Sequence, residues 1–197
     1  PLFVMKMQAH RRWFYHQGHF FIIYGDHSRK GLTVSLGPDR LTFLLFVCIF
    51  LAGGYFIWTT TSEQWGTTLA LVVRCMYVVG FSSFLYTGMC NPGIVLKTED
   101  NSLENQEKLE SLSYSYCSLC DLYRPPRAAH CSACGVCFEG FDHHCTVMGQ
   151  CVAKRNILSF YLMCATVPFL IFYCEFYSWN LGSFYRFLWH WIKGWFH

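Results

Sequence analysis

Between Cys117 and Asn156 the chain reads Cys117-x2-Cys120-x9-His130-Cys131-x2-Cys134-x2-Cys137-x4-Asp142-His143-His144-Cys145-x5-Cys151-x4-Asn156. Seven of its twelve cysteines and three of its nine histidines fall in these 40 residues. Two cysteines at x2 spacing can reach one ion from a tight turn, and structural zinc is normally closed by four Cys or His ligands. Ten candidate ligands fill two closed sites with two groups left over. An imidazole nitrogen bonded to zinc cannot also accept a proton, so a ligand and a general base must be different residues. One of His143 and His144 can therefore close a site while the other stays free beside Cys145. Spacing supports two sites but does not say which ligands share an ion.

The run resembles the cysteine-rich domain of the DHHC protein S-acyltransferases (palmitoyltransferases), with Asp142-His143-His144-Cys145 in the place of the signature and the ten Cys/His positions matching without a gap. The resemblance implies an interleaved pair of Cys3His zinc sites, Cys117, Cys120, His130 and Cys137 in one, Cys131, Cys134, His144 and Cys151 in the other. It implies Cys145 as the nucleophile, His143 as its base and Asp142 as the group that orients His143. It also implies a covalent route, in which Cys145 takes the acyl group from palmitoyl-CoA and a substrate thiol takes it from Cys145. The two zinc ions would be structural, because a site closed by four protein ligands leaves no position for water. Two departures stand out. Thr146-Val147 replaces the family's Pro-Trp after the nucleophile, and Asn91-Pro92-Gly93 replaces Asp-Pro-Gly while keeping the turn-forming pair. Asn156 lies where the family has an asparagine, and a cap for the helix that follows is the role expected of it.

The elements around this core are apolar. In a chain of 197 residues, 53% hydrophobic and 19% aromatic composition points to a membrane protein. The fold class expected is an α-helical integral membrane protein with three recognisable transmembrane helices and a two-zinc domain between the second and third. An arm (1–40), a first span (41–60), a loop (61–68) and a second span (69–89) precede a linker (90–116) and the zinc domain (117–156). A third span (157–178) and an aromatic tail (179–197) follow. Each span is near the roughly 20 residues that cross the hydrocarbon. Arg74 is expected to snorkel to the interface and Pro168 to kink the third span. The arm reads equally as a membrane-surface segment with a short strand or two, or as a soluble arm. The linker carries Glu99, Asp100, Glu104, Glu107 and Glu110 and reads as solvated or as a short helix with a Glu104–Lys108 pair. Family members have four spans and a Thr-Thr-x-Glu after the last, so the resemblance implies a fragment lacking a fourth helix, and the start at Pro1 in place of Met reads as a fragment or a clipped gene model. Thr60-Thr61-Ser62-Glu63 has the letters but follows the first span, and is read as coincidence.

Charge gives an orientation. The arm and the 90–156 segment each carry six Lys or Arg, and 59–68 carries none. The two basic segments are an even number of crossings apart, so the positive-inside rule places both in the cytosol and the 61–68 loop and aromatic tail on the lumenal side. Cysteines in metal-type spacing also fit a reducing compartment. A net charge of +3 without a basic block argues against nucleic acid. The partners implied are acyl-CoA, membrane lipid and proteins with cytosolic juxtamembrane cysteines, in an endomembrane (Golgi or ER) or the plasma membrane. Arg124, Arg127, Lys154 and Arg155 are candidates for CoA phosphates, although basic residues are expected at a cytosolic membrane face anyway. Phe81, Ser82, Ser83, Phe84, Phe160 and Tyr161 are candidates to line an acyl slot, helix packing being the commoner role for any one. Cys90 is either a second acylation site or a buried thiol. A zinc-bearing membrane adaptor that has lost turnover is the competing function, kept open by Thr146-Val147 and the absent fourth span.

Overall fold

The computed structural model describes residues 12–25, 34–61 and 67–195. His10, Arg11 and most of the 61–68 loop lie outside these residues. An antiparallel sheet of β1 (Arg12–Gln17), β2 (Phe20–Gly25) and β3 (Val34–Leu36) leads into helix α1 (Arg40–Thr60), followed by α2 (Thr67–Met89). After two 3-10 turns and the short α3 (Gln106–Ser111) come three two-stranded hairpins. These are β4 (Ser115–Cys117) with β5 (Leu122–Arg124), β6 (Ala129–Cys131) with β7 (Val136–Phe138), and β8 (His143–Cys145) with β9 (Gln150–Val152). Helix α4 (Ile157–Trp195) closes the described chain.

Arg40–Thr60, Thr68–Met89 and Ile157–Phe176 are each long and apolar enough to cross a bilayer. They leave Leu44, Leu45, Ile49, Leu71, Leu162 and Phe172 exposed, as lipid-facing side chains must be. These helices make the chain a multi-pass membrane protein.

Helix α2 packs against both other spans. An aromatic ladder joins it to α1, with Phe43 and Phe50 stacked on Phe84 at 5.1 and 4.8 Å, and Phe50 on Phe81 at 5.7 Å. Toward α4, the hydroxyls of Thr87 and Ser159 are 2.8 Å apart. Gly80 faces Thr166 so closely that a Cβ on it would fall 2.7 Å from the threonine hydroxyl oxygen. Small residues that let helix backbones approach are the usual basis of packing in lipid, where burial from water adds nothing.

The packed helices give several of the expected features their places. Arg74 turns toward the end of α1: its Nε donates to Thr61 Oγ1 at 2.9 Å, a terminal nitrogen donates to the Trp58 carbonyl at 3.3 Å, and the guanidinium lies 4.5 Å from the Trp58 ring centre. It thereby serves the carboxyl end of α1, where helix carbonyls lack partners. Thr60 meets the Tyr173 hydroxyl at 3.4 Å, so the Thr60-Thr61 pair joins helices far from the hairpins. Helix α4 runs past residue 178 as one helix of 39 residues, about 58 Å at 1.5 Å per residue. Pro168 lies inside it without ending it, and no proline follows to stop it before Trp195.

The arm forms strands, as one reading expected, and among the described residues it docks on the hairpins. Phe20 is fully buried in a core with Ile94, Cys131, Cys134, Phe138 and Cys151. His19 donates its main-chain N–H to the Cys134 carbonyl at 3.0 Å, and its ring Nδ1 bonds the Ala133 carbonyl at 2.7 Å. Val34 bridges to Cys90 at the end of α2. The linker is held too. Leu109 is buried, the Tyr123 hydroxyl donates to Glu110 Oε1 at 3.1 Å, and Lys97 pairs with Asp121. Glu104 sits in a 3-10 turn ahead of α3, not on a helix with Lys108.

Candidate functional site

The hairpins explain how neighbouring ligands part company. Side chains alternate faces along a strand, and directly paired residues share a face. On β6 and β7, His130 pairs with Cys137, so the adjacent Cys131 points the other way. On β8 and β9, His144 pairs with Cys151. The result is two groups of four ligand atoms, Cys117, Cys120, His130 and Cys137 in one and Cys131, Cys134, His144 and Cys151 in the other, the atoms of each lying within 4.8 Å of one another. These are the two interleaved sets that the resemblance implies.

Their geometry fits a tetrahedral ion. Metal–sulfur bonds of about 2.3 Å and metal–nitrogen bonds of about 2.0 Å put tetrahedral ligand atoms roughly 3.5 Å (S to N) and 3.8 Å (S to S) apart. In the second group, His144 Nδ1 is 3.5, 3.4 and 3.5 Å from the sulfurs of Cys131, Cys134 and Cys151. In the first, Cys120 and Cys137 are 3.7 Å apart and stand 3.2 and 3.8 Å from His130 Nδ1. The sulfurs press on one another electrostatically. The hydrogen bond with Cys151 leads the effects that carry the Cys134 thiol down to about 6, and the same contact pushes Cys151 up. Burial acts to lower His144, but its bond to Asp39 and the charge on Cys134 raise it above its ordinary value. A thiolate beside an imidazole is the donor set that a divalent cation takes up as protons leave.

Cys145 belongs to neither group. It sits two residues from His143 on β8, so the two side chains lie on the face opposite His144. His143 Nδ1 is 2.8 Å from Asp142 Oδ2, which leaves Nε2 as the ring nitrogen free to take a proton. The His143 ring meets the edge of Phe160, in the first turn of α4, at 5.2 Å between centres. Cys145, Phe160, Val147 and Met163 pack against the buried Phe43, Phe84 and Met148. Among the described residues no hydrogen bond joins Cys145 to His143. Thr146 accepts the N–H of Gly149 at 3.1 Å, so the turn after Cys145 forms without the family's proline.

Other residues singled out from sequence take varied places. Asn156 is fully buried, but its side chain does not cap α4. Its Oδ1 accepts from Ala153 N at 2.8 Å and its Nδ2 donates to the carbonyls of Thr87 and Cys151 at 3.1 and 3.0 Å. Burial pushes the Cys90 thiol up to about 12, against the pull of a backbone bond and Arg155, as suits a structural thiol. Phe84 and Ser83 are buried between helices, Ser82 and Tyr161 are exposed, and Phe160 is the candidate that touches the site. Arg124 bonds Ser115, Lys154 pairs with Glu139 at 3.2 Å, and Arg127 is exposed. The sequence reading missed Met148 and Gln150, both fully buried, and Asp39, which meets His144. The roles of Gln150 and Asp39 depend on partners far along the chain.

A family model described as DHHC palmitoyltransferase matches residues 110–195. The chain is 31% identical over 180 residues to "Probable protein S-acyltransferase 6" of Arabidopsis thaliana, a match covering 80% of this chain and 42% of that protein. It is 45% identical over 195 residues to "Palmitoyltransferase ZDHHC14" of Mus musculus, covering 84% of this chain and 38% of that protein. To "Palmitoyltransferase ZDHHC18-B" of Danio rerio it is 30% identical over 166 residues, covering 71% and 40%. The chain thus spans less than half the length of these relatives. With the signature, the ligand groups and the membrane helices in agreement, this chain belongs to the DHHC palmitoyltransferase family.

Proposed function

We propose that this chain is a protein S-acyltransferase that moves a long-chain acyl group from palmitoyl-CoA to protein cysteines through Cys145. The observation that carries the reading is the one cysteine of the core left outside both ligand groups, on one strand face with a histidine whose far nitrogen is free. In the first half-reaction His143 Nε2 accepts the Cys145 proton and the thiolate attacks the thioester carbonyl. The carbon–sulfur bond to CoA breaks, and the CoA thiolate takes the proton from His143. In the second, His143 accepts the proton of a substrate thiol, that thiolate takes the acyl group, and Cys145 leaves as a thiol. One thioester replaces another, so the driving force is small and the enzyme's task is kinetic. Asp142 holds the His143 tautomer and stabilises the imidazolium formed in each half-reaction, the part an aspartate plays in hydrolytic triads.

The ions in the two groups are proposed to be zinc, held by Cys117, Cys120, His130 and Cys137 and by Cys131, Cys134, His144 and Cys151. When bound, zinc supplies folding free energy to hairpins too small to stand alone. The arm, the linker and the hairpins are proposed to face the cytosol, on the strength of the six Lys or Arg in each basic segment. There the CoA headgroup stays in water while its acyl chain lies among the helices, each CH2 favouring burial by about 0.8 kcal/mol. Phe160, which touches His143 and neighbours the Cys145 cluster, supports this route.

Labelled palmitoyl-CoA tests the reading on the membrane-embedded chain. A hydroxylamine-sensitive label on the wild type that is absent from Cys145→Ser is the expected result. A wild type that takes no label while holding its metal ions would point to a membrane adaptor instead.

A further inference from the structure

Asp39 lies on the turn that leads into α1, far in sequence from every ligand. Its Oδ2 is 2.7 Å from His144 Nε2, across 105 residues. His144 turns Nδ1 toward the three sulfurs, so Nε2 carries the hydrogen and donates it to the carboxylate. Asp39 is the N-cap residue of α1, a position where aspartate commonly bonds the first turn, yet its side chain makes no capping bond. The carboxylate is directed to the histidine instead.

The backbone around Asp39 is fitted to the turn after Cys145. The Asp39 N–H donates to the Gly149 carbonyl at 3.2 Å, and the Asp39 carbonyl accepts the N–H of Phe43 at 3.1 Å. Gly37 approaches so closely that a Cβ there would fall 2.0 Å from the Gly149 carbonyl oxygen. The carboxylate is thus presented from a main chain that is itself anchored. The first ligand group differs: among the described residues, His130 makes no hydrogen bond through Nε2.

We propose that Asp39 is a positioning residue of the second metal centre, holding His144 Nε2–H so that Nδ1 faces the ion. Because His144 lies between His143 and Cys145 on β8, the same bond sets the rotation of the strand that presents both. A histidine that ligates a metal usually gives its other N–H to a carboxylate or carbonyl, which fixes tautomer and ring orientation. The proposal rests on the reading of His144 as a metal ligand.

The test follows the metal, not the acyl group. The full chain in detergent micelles is analysed for zinc, and release to a chromogenic chelator is timed. Wild type is expected to hold two ions. Asp39→Asn keeps the side-chain shape without the charge, and is expected to release one ion about 10–100-fold faster while the other leaves at the wild-type rate. With cobalt in place of zinc, the ligand-field absorption of one site should shift in Asp39→Asn and that of the other should not. Wild-type release of both ions from Asp39→Asn and Asp39→Ala overturns the proposal. So does equal acceleration of both, the mark of a general loss of fold. Fewer than two ions in the wild type overturns the metal reading itself, and this proposal with it.

Discussion

Gln150 on β9 donates its side-chain amide to the main-chain carbonyl of Thr87 at 2.6 Å, and to that of Cys90 at 2.9 Å. Asn156 donates to the Thr87 carbonyl as well. The last carbonyls of a helix have no partners within it, so the end of α2 is completed by side chains of the hairpin domain. Domain and membrane helices are thereby joined by specific bonds, not merely tethered by the linker.

The first expectation follows from this join. Gln150→Leu takes the side-chain donor from the Cys90 carbonyl, and Gln150→Leu combined with Asn156→Leu takes both side-chain donors from the Thr87 carbonyl, at a cost of about 1–3 kcal/mol for each buried group left unsatisfied. Thermal unfolding in micelles should show a lower midpoint for each variant. Midpoints equal to wild type would mean that these bonds do not hold the domain to α2.

Metal removal should act on the hairpins before the helices. Each strand from β4 to β9 has three residues, too few for independent stability, whereas zinc contributes roughly 10–16 kcal/mol in small zinc domains. A strong chelator is expected to open residues 117–156 to protease and their thiols to alkylation while the membrane spans stay protected. Unchanged protection would remove the structural role assigned to the ions.

Asp142 is expected to matter for rate and not for metal. Its contact with His143 at 2.8 Å is to a ring that belongs to neither ligand group among the described residues. Asp142→Ala should slow label accumulation on Cys145 by a factor on the order of 10²–10⁴, the range of a disabled general base, with both ions retained. Normal labelling in that variant would leave Asp142 without its assigned part.

The close contact of α2 and α4 gives a fourth expectation. Gly80→Leu would drive a branched side chain into Thr166, whose hydroxyl would lie 2.7 Å from even a lone Cβ. Overpacking of this kind typically costs about 1–3 kcal/mol. A lower thermal midpoint for Gly80→Leu, with Gly53→Leu as the control at an α1 position open to 4 Å, would support the contact. Equal midpoints for the two would show that the helices part without cost.

Much of the site was legible because its signals are local. Cys-x2-Cys spacing brings two sulfurs to one turn, and an unbroken apolar run of about 20 residues has few alternatives to a span. The grouping of ligands was not local. It follows from strand alternation, which sends His130 and Cys131 to different sites, and three-residue strands carry too little pattern to be read from sequence. Asn156 looked like a cap because it precedes a helix, but its amide reaches Thr87, 69 residues away. The partners of Arg74 were not local either, because only the packed helices put Trp58 and Thr61 beside it.

By itself, then, the order of amino acids determined the ligand inventory and the apolar helices, since ligand spacing and hydropathy act over a few turns of chain. Only the tertiary structure decided which ligand atoms come together, how the arm docks on the hairpins and that Asp39 meets His144. Those contacts join segments far apart in sequence, and their geometry exists only once the helices and hairpins are packed together.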